Sequence, residues 1–102
     1  MAKLFVECYA EMATAWAGDR LIQAAKEPSL ATLTPVVIGA GSLQSAVFPG
    51  GTRFVRIQSD VISSIKFGTN PTATTDDKRM TAGQTEYFGV NAGDRVAVIA
   101  NT

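Results

Sequence analysis

The sequence contains no histidine at all. That removes Ser-His-Asp and Cys-His catalysis, and with them the commonest metal ligand. It has a single cysteine, Cys8, so no disulfide can close within the chain, and a reducing compartment at the time of folding is expected. With no His and one Cys, a zinc site is excluded. Charge is also scarce. Lys plus Arg is 9 and Asp plus Glu is 9, giving zero net charge, and only 18% of residues are charged. A nucleic-acid partner, which needs a basic surplus, is therefore not expected. No apolar stretch approaches the ~20 residues of a membrane-spanning helix, so no membrane partner is expected. The opening Met-Ala-Lys-Leu-Phe-Val-Glu lacks the pattern of a secretory signal. Repeats and low-complexity tracts are lacking too. What remains is a 102-residue chain, 46% apolar, sized for one domain spanning 1–102. Near-zero net charge on a lightly charged surface favours association.

Along the chain, Lys3 to Trp16 satisfies two periodicities. With period two, Leu4, Val6, Cys8, Ala10, Met12 and Trp16 share a face opposite Lys3, Glu7 and Glu11, with Phe5 and Tyr9 as exceptions. With period 3.6, Leu4, Phe5, Cys8, Tyr9, Met12 and Trp16 form a stripe. The following Ala17-Gly18-Asp19-Arg20 suits a hairpin turn, with Leu21–Lys26 as the returning strand, and so a strand is expected. Glu27-Pro28-Ser29 breaks the chain. Ala31–Ile38 suits a strand, but Pro35 cannot donate to a ladder and marks an edge or a bulge. Gly39–Ser42 is expected to turn into a partner strand, Leu43–Phe48, and Pro49–Thr52 to turn again.

The second half carries the clearest alternation. In Arg53–Gln58, Val55 and Ile57 share a face opposite Phe54, Arg56 and Gln58. After a corner at Ser59-Asp60, Val61–Phe67 resumes the pattern. Gly68–Gly83 is one long irregular segment, which in a compact domain is functional or mobile. In Gln84–Val90, Phe88 and Val90 point inward and Tyr87 outward. Asn91–Asp94 has the residues of a hairpin turn, and Arg95–Ala100 is apolar on both faces, as for a strand covered on both sides. The predicted architecture is all-β: a single-domain jelly-roll-like sandwich or small barrel of about eight short strands.

Candidate chemistry is sparse. Asp76-Asp77 could offer oxygens to a cation, but the flanks form no cation loop, and a solvated loop is expected. Gly39-Ala40-Gly41 and Pro49-Gly50-Gly51 lack the Gly-Lys-Ser/Thr ending of a phosphate loop. Cys8 belongs to a core, and Glu7 and Glu11 to the surface. No catalytic, cofactor-binding or metal-binding residue is assigned, and no enzyme activity or cofactor is expected. The candidates are interface residues. Trp16 suits either the core or a contact anchor. Phe54, Ile62 and Tyr87 would lie outward on their strands, against a second layer or a neighbouring subunit. The loop 69–81, with Asn70, Pro71, Asp76, Lys78 and Arg79, and the N-terminal segment are polar or ambiguous enough to be ordered by a partner.

One string carries a resemblance. Thr52-Arg53-Phe54-Val55-Arg56-Ile57 is followed by Ser59-Asp60, Ile65-Lys66-Phe67-Gly68 and Asn70-Pro71-Thr72-Ala73-Thr74. Ala82-Gly83, Glu86-Tyr87-Phe88 and Gly93–Ile99 complete it, while Glu27-Pro28 and Ile38–Phe48 match more loosely. The whole resembles the small β-structured virion proteins of tailed bacteriophages, of the capsid cement or decoration type. The resemblance implies a jelly-roll-like homodimer or homotrimer on the outer capsid surface of a virion, made in the bacterial host cytoplasm and stapling copies of the major capsid protein. It also admits a head-completion or tail component. A carbohydrate- or receptor-binding module of a fibre or spike is the alternative, with Trp16, Tyr9 and Tyr87 as its aromatics.

Overall fold

The structure, a computed structural model, describes residues 2–14 and 21–101. Eleven strands are present among them, and no helix. The expectation of an all-β domain holds. The first sheet has the order β10-β7-β1, with β4 and β5 both on the far edge of β1. Its long members are β1 (Lys3–Tyr9), β7 (Phe54–Ser59) and β10 (Thr85–Gly89), and its short ones β4 (Ala31–Thr32) and β5 (Val36–Val37). The second sheet runs β6 (Leu43–Gln44), β11 (Arg95–Ala100), β8 (Ser63–Gly68), β9 (Lys78–Met80). A separate hairpin is formed by β2 (Met12–Thr14) and β3 (Leu21–Ala25). All pairings are antiparallel.

Alternation explains which faces meet. Leu4, Val6 and Cys8 of β1 and Val55 and Ile57 of β7 are fully buried or nearly so, as are Ile65, Val96 and Val98 of the second sheet. These side chains, with Phe48 and Met80, form one core cluster, and Phe88 packs against it. Over its described part Lys3–Trp16 is extended rather than helical, but it is not the one long strand expected: it breaks at Ala10-Glu11 into β1 and β2, which belong to different sheets. The burial of Cys8 raises its thiol pKa, because the thiolate would lose its hydration there. The expected return strand is also present, as β3 pairs with β2. Its turn, Ala17–Arg20, and Trp16 lie outside the described residues.

Pro35 does what a proline must at a sheet edge. It falls between β4 and β5, which both pair β1, and Leu33 N–H still donates to Val6 O at 3.1 Å. The expected strand Ala31–Ile38 is therefore two short pieces with an interruption.

Three further expectations are corrected. Leu43–Phe48 is not the partner of the preceding strand. β6 pairs β11 instead, and the ladder continues irregularly through Ser45 N–H to Val96 O, 2.8 Å. Asn91–Asp94 is a tight turn, with Gly93 at φ 91° and Asp94 N–H donating to Asn91 O, but it does not close a hairpin. It carries the chain from β10 in the first sheet to β11 in the second. The Ser59-Asp60 corner makes the same crossing between β7 and β8. Buried hydroxyls mark it: Ser59 Oγ donates to Val61 O at 2.6 Å and lies 2.8 Å from Ser63 Oγ.

The third correction concerns Gly68–Gly83, which is neither wholly irregular nor loose. Residues 78–80 form β9. The preceding loop is tied to the second sheet: Gln44 Nε2 donates to Asn70 Oδ1 and to Pro71 O, Ser42 Oγ accepts from Ala73 N–H, and Asn101 Nδ2 donates to Thr75 O. Pro71 and Ala73 are buried. Gln44 and Ser64 stand on the outer face of that sheet, so the loop lies across it and supplies the second cover that Arg95–Ala100 called for. The loop 69–77 is ordered by its own chain.

Candidate functional site

The remaining outer surface is that of the first sheet. Its pairing register brings side chains from three strands into rows. Tyr9 stands opposite Phe54, and Glu7 opposite Arg56, which in turn stands opposite Tyr87. The outcome is an aromatic group. Tyr9 and Phe54 stack with ring centroids 5.2 Å apart and 12° between planes, and Tyr87 tilts against both at 6.4 and 6.2 Å. Such pairs contribute roughly 0.5–1.5 kcal/mol each beyond their area. Tyr87 remains 53% exposed.

Tyr9 points outward yet is only 3% exposed. Phe54 covers its ring, and its hydroxyl donates to Glu27 Oε2 at 2.6 Å. Loss of hydration, and next the carboxylate that the phenol proton bridges to, hold its pKa well above the ordinary phenol value. A folded-state pKa above the unfolded value of about 10 stabilises the fold at lower pH and loses that stabilisation as pH rises past 10. Wild type should therefore lose stability between pH 10 and 11.5 in urea titrations, and Tyr9→Phe should lose distinctly less over that interval. Parallel curves for the two proteins would show that Tyr9 ionisation is not coupled to folding.

Two of the hollows beside the aromatic group reach Tyr87. One, of about 240 Å³, lies between the sheet and the root of the β2–β3 hairpin and is lined by Met12, Ala24, Ala25, Phe54 and Tyr87. The other, of about 570 Å³, is polar and open, with Glu7, Glu27 and Arg56 beside Tyr9 and Tyr87. Its carboxylates are already oriented. Glu7 accepts from Ser29 Oγ at 2.6 Å and from Thr32 Oγ1 at 2.8 Å, and Glu27 accepts from Tyr9. Next to Tyr87, β10 is the edge of the sheet, with no further strand paired to it among the described residues. An edge of this kind offers unpaired backbone N–H and C=O groups to another chain.

The sequence-predicted interface residues do not form one patch. Phe54 and Tyr87 come together on this face, as their alternation implied. Ile62 is half-buried at the crossing between sheets, where its carbonyl accepts from Asn101 N–H. Asn70 and Pro71 sit on the second sheet, and the burial of Pro71 withdraws it from contact. Asp76 and Arg79 are exposed, and Lys78 places its ammonium 5.8 Å from the Phe88 ring centre. Tyr9 and Met12 were covered only by the expectation that the N-terminal segment makes contacts, with Tyr9 named for the carbohydrate-binding alternative, and Ala24 and Ala25 had no place among the predicted interface residues. Outward alternation on β1 was the available signal for Tyr9. Nothing local marked the two alanines, whose role depends on where the hairpin sits.

Comparison of the chain with protein-family models, curated proteins and solved structures returned no match.

Proposed function

We propose that this chain is a structural virion protein, a capsid cement or decoration subunit that self-associates and staples neighbouring capsomers of a tailed-bacteriophage head. The observation that carries the reading is the concentration of unused contact features on one side of the molecule. An aromatic face with a half-exposed Tyr87, an apolar hollow lined in part by the β2–β3 hairpin, and a strand edge unpaired among the described residues lie together there. The string of turn and strand motifs from Thr52 to Ile99 supports the phage assignment. The mechanism is mechanical. Apolar and main-chain edge groups buried across joints stabilise the shell by mass action, and repeated attachment multiplies modest contacts into high avidity.

Quantifying the chain in purified particles tests the proposal. A copy number that scales with capsomers is expected. A handful of copies would point instead to a head-completion or tail role, and absence from particles would overturn the reading.

A second reading, a carbohydrate- or receptor-binding module of a fibre or spike, draws on one observation. Tyr9 and Tyr87 share a face beside the oriented carboxylates of Glu7 and Glu27. Only Tyr87 of that pair offers an open ring face for a sugar to stack on, which favours the structural role. Glycan-array binding that Tyr87→Ala abolishes, with few copies per particle, would reverse the preference.

A further inference from the structure

Of the edges of the two large sheets, that of β10 is the longest and the least guarded. The edge strands β4, β5 and β6 have two residues each and β9 three, whereas β10 has five. Edge strands are usually blunted by Lys, Pro or a bulge. Thr85–Gly89 contains neither Lys nor Pro, and its register with β7 is unbroken.

The ladder shows which main-chain groups this edge presents. Ser59 N–H donates to Gln84 O at 3.2 Å, and Val90 N–H donates to Arg53 O at 2.9 Å. Residues directly opposite in an antiparallel pair alternate between bonded and non-bonded. Gln84, Glu86, Phe88 and Val90 therefore turn their N–H and C=O groups toward β7, and Thr85, Tyr87 and Gly89 turn theirs away from it. Among the described residues nothing pairs with those outward groups. We infer that β10 of one copy of this chain pairs antiparallel with β10 of a second copy, with Tyr87 opposite Tyr87 on the two-fold axis. The inference gives the mode of the self-association proposed above and rests on that reading.

Two observations select a second copy as the added strand. The first is register. Centred on Tyr87, the pairing sets Thr85 opposite the second copy's Gly89 and the reverse, so all three outward residues of each copy exchange both of their bonds. A shift that sets Thr85 opposite Tyr87 would bring the two Glu86 side chains face to face, and like charges directly opposite are destabilising. The second is charge. In the centred register Glu86 stands opposite the second copy's Phe88. The ammonium of Lys78 lies 5.8 Å from the centre of the Phe88 ring, and Lys78 is exposed. Each Glu86 thus arrives beside a Lys78 of the other copy. Among the described residues neither side chain has an ion-pair partner of its own, and Glu86 accepts only from Gln84 Nε2, at 3.0 Å. A charge on the inner face of an edge strand deters other strands; here it favours one that carries its own cation.

Light scattering and sedimentation of the purified full chain at micromolar concentration decide the matter. The expected species has twice the chain mass of 10.7 kDa. Glu86→Lys and Lys78→Glu should each raise the dissociation constant about tenfold or more, since each sets like charges together, and the double variant should restore association. Thr85→Pro puts a proline at the first position of an edge strand, where it is tolerated. It removes one outward N–H from each copy and should also weaken the dimer about tenfold or more, with the β circular dichroism unchanged. A wild-type monomer or trimer overturns the inference, and so does a dimer indifferent to Thr85→Pro and to both charge reversals. No particle enters this experiment. Edge pairing can therefore fail while the chain still sediments with capsids, or succeed while it does not.

Discussion

Phe48→Ala should destabilise the protein by about 3–5 kcal/mol, the usual cost of emptying an aromatic site in a core. Phe48 is fully buried and the largest such side chain. It tilts against Phe67 at 6.4 Å between ring centres. Its backbone adds a second function, since its N–H donates to Asp94 O at 2.9 Å and its carbonyl accepts from Gly93 N–H at 3.0 Å. The residue thus joins the segment after β6 to the turn that crosses between the sheets, and truncation would leave a cavity where neither strand can collapse inward. Stabilities of single domains are about 5–15 kcal/mol, so a fifth of the total or more is at stake, and the melting temperature should fall on the order of 15–25 °C. The neighbouring Val47 is 42% exposed, and Val47→Ala should stay within about 0.5 kcal/mol. Chemical denaturation of the two variants checks both numbers. Equal losses would mean that the inward direction at Phe48 is misassigned.

Tyr87→Glu should separate assembly from folding. At 53% exposure the side chain contributes little to the core, and losing its two ring contacts, with Tyr9 and Phe54, should cost roughly 1–3 kcal/mol of folding stability. On the outer face it is the most open ring of the aromatic group and lines both hollows. A carboxylate at the centre of a desolvated contact, beside Glu7, should weaken association about thirtyfold or more. Occupancy on particles should fall further still, because multivalent attachment magnifies a loss at each joint. A moderately lowered but still cooperative melting transition with lost self-association is the expected pair of results. The same folded protein with undiminished association and occupancy would remove this face from the interface.

The legible part of the fold was local. Alternation in Leu4–Cys8, Val55–Ile57 and Phe88–Val90 gave strand identity and inward faces, because a period of two is written into the residues themselves. Sheet membership was not legible. Asn91-Ala92-Gly93-Asp94 supplies the same tight turn whether the next strand pairs with the last or crosses to the opposite sheet. Only the distant pairings of β7 with β1 and of β8 with β11 settle that. The long loop was misjudged for a related reason. Its polar composition hides the burial of Pro71 and Ala73, which depends on a sheet face elsewhere in the chain being free to receive them. Of the candidate site, Phe54 and Tyr87 followed from alternation. The stacking of Tyr9 on Phe54 did not, because it follows from the β1–β7 register.

Amide hydrogen exchange on the assembled particle bears most directly on the claim that neighbours grip this chain by the outer face of its first sheet. Slow exchange is expected at Met12–Thr14, Leu21–Ala25 and the edge strand Thr85–Gly89, compared with the Tyr87→Glu protein free in solution. Rapid exchange at all three, with new protection confined to the outer edges of the second sheet at β6 and β9, would contradict it.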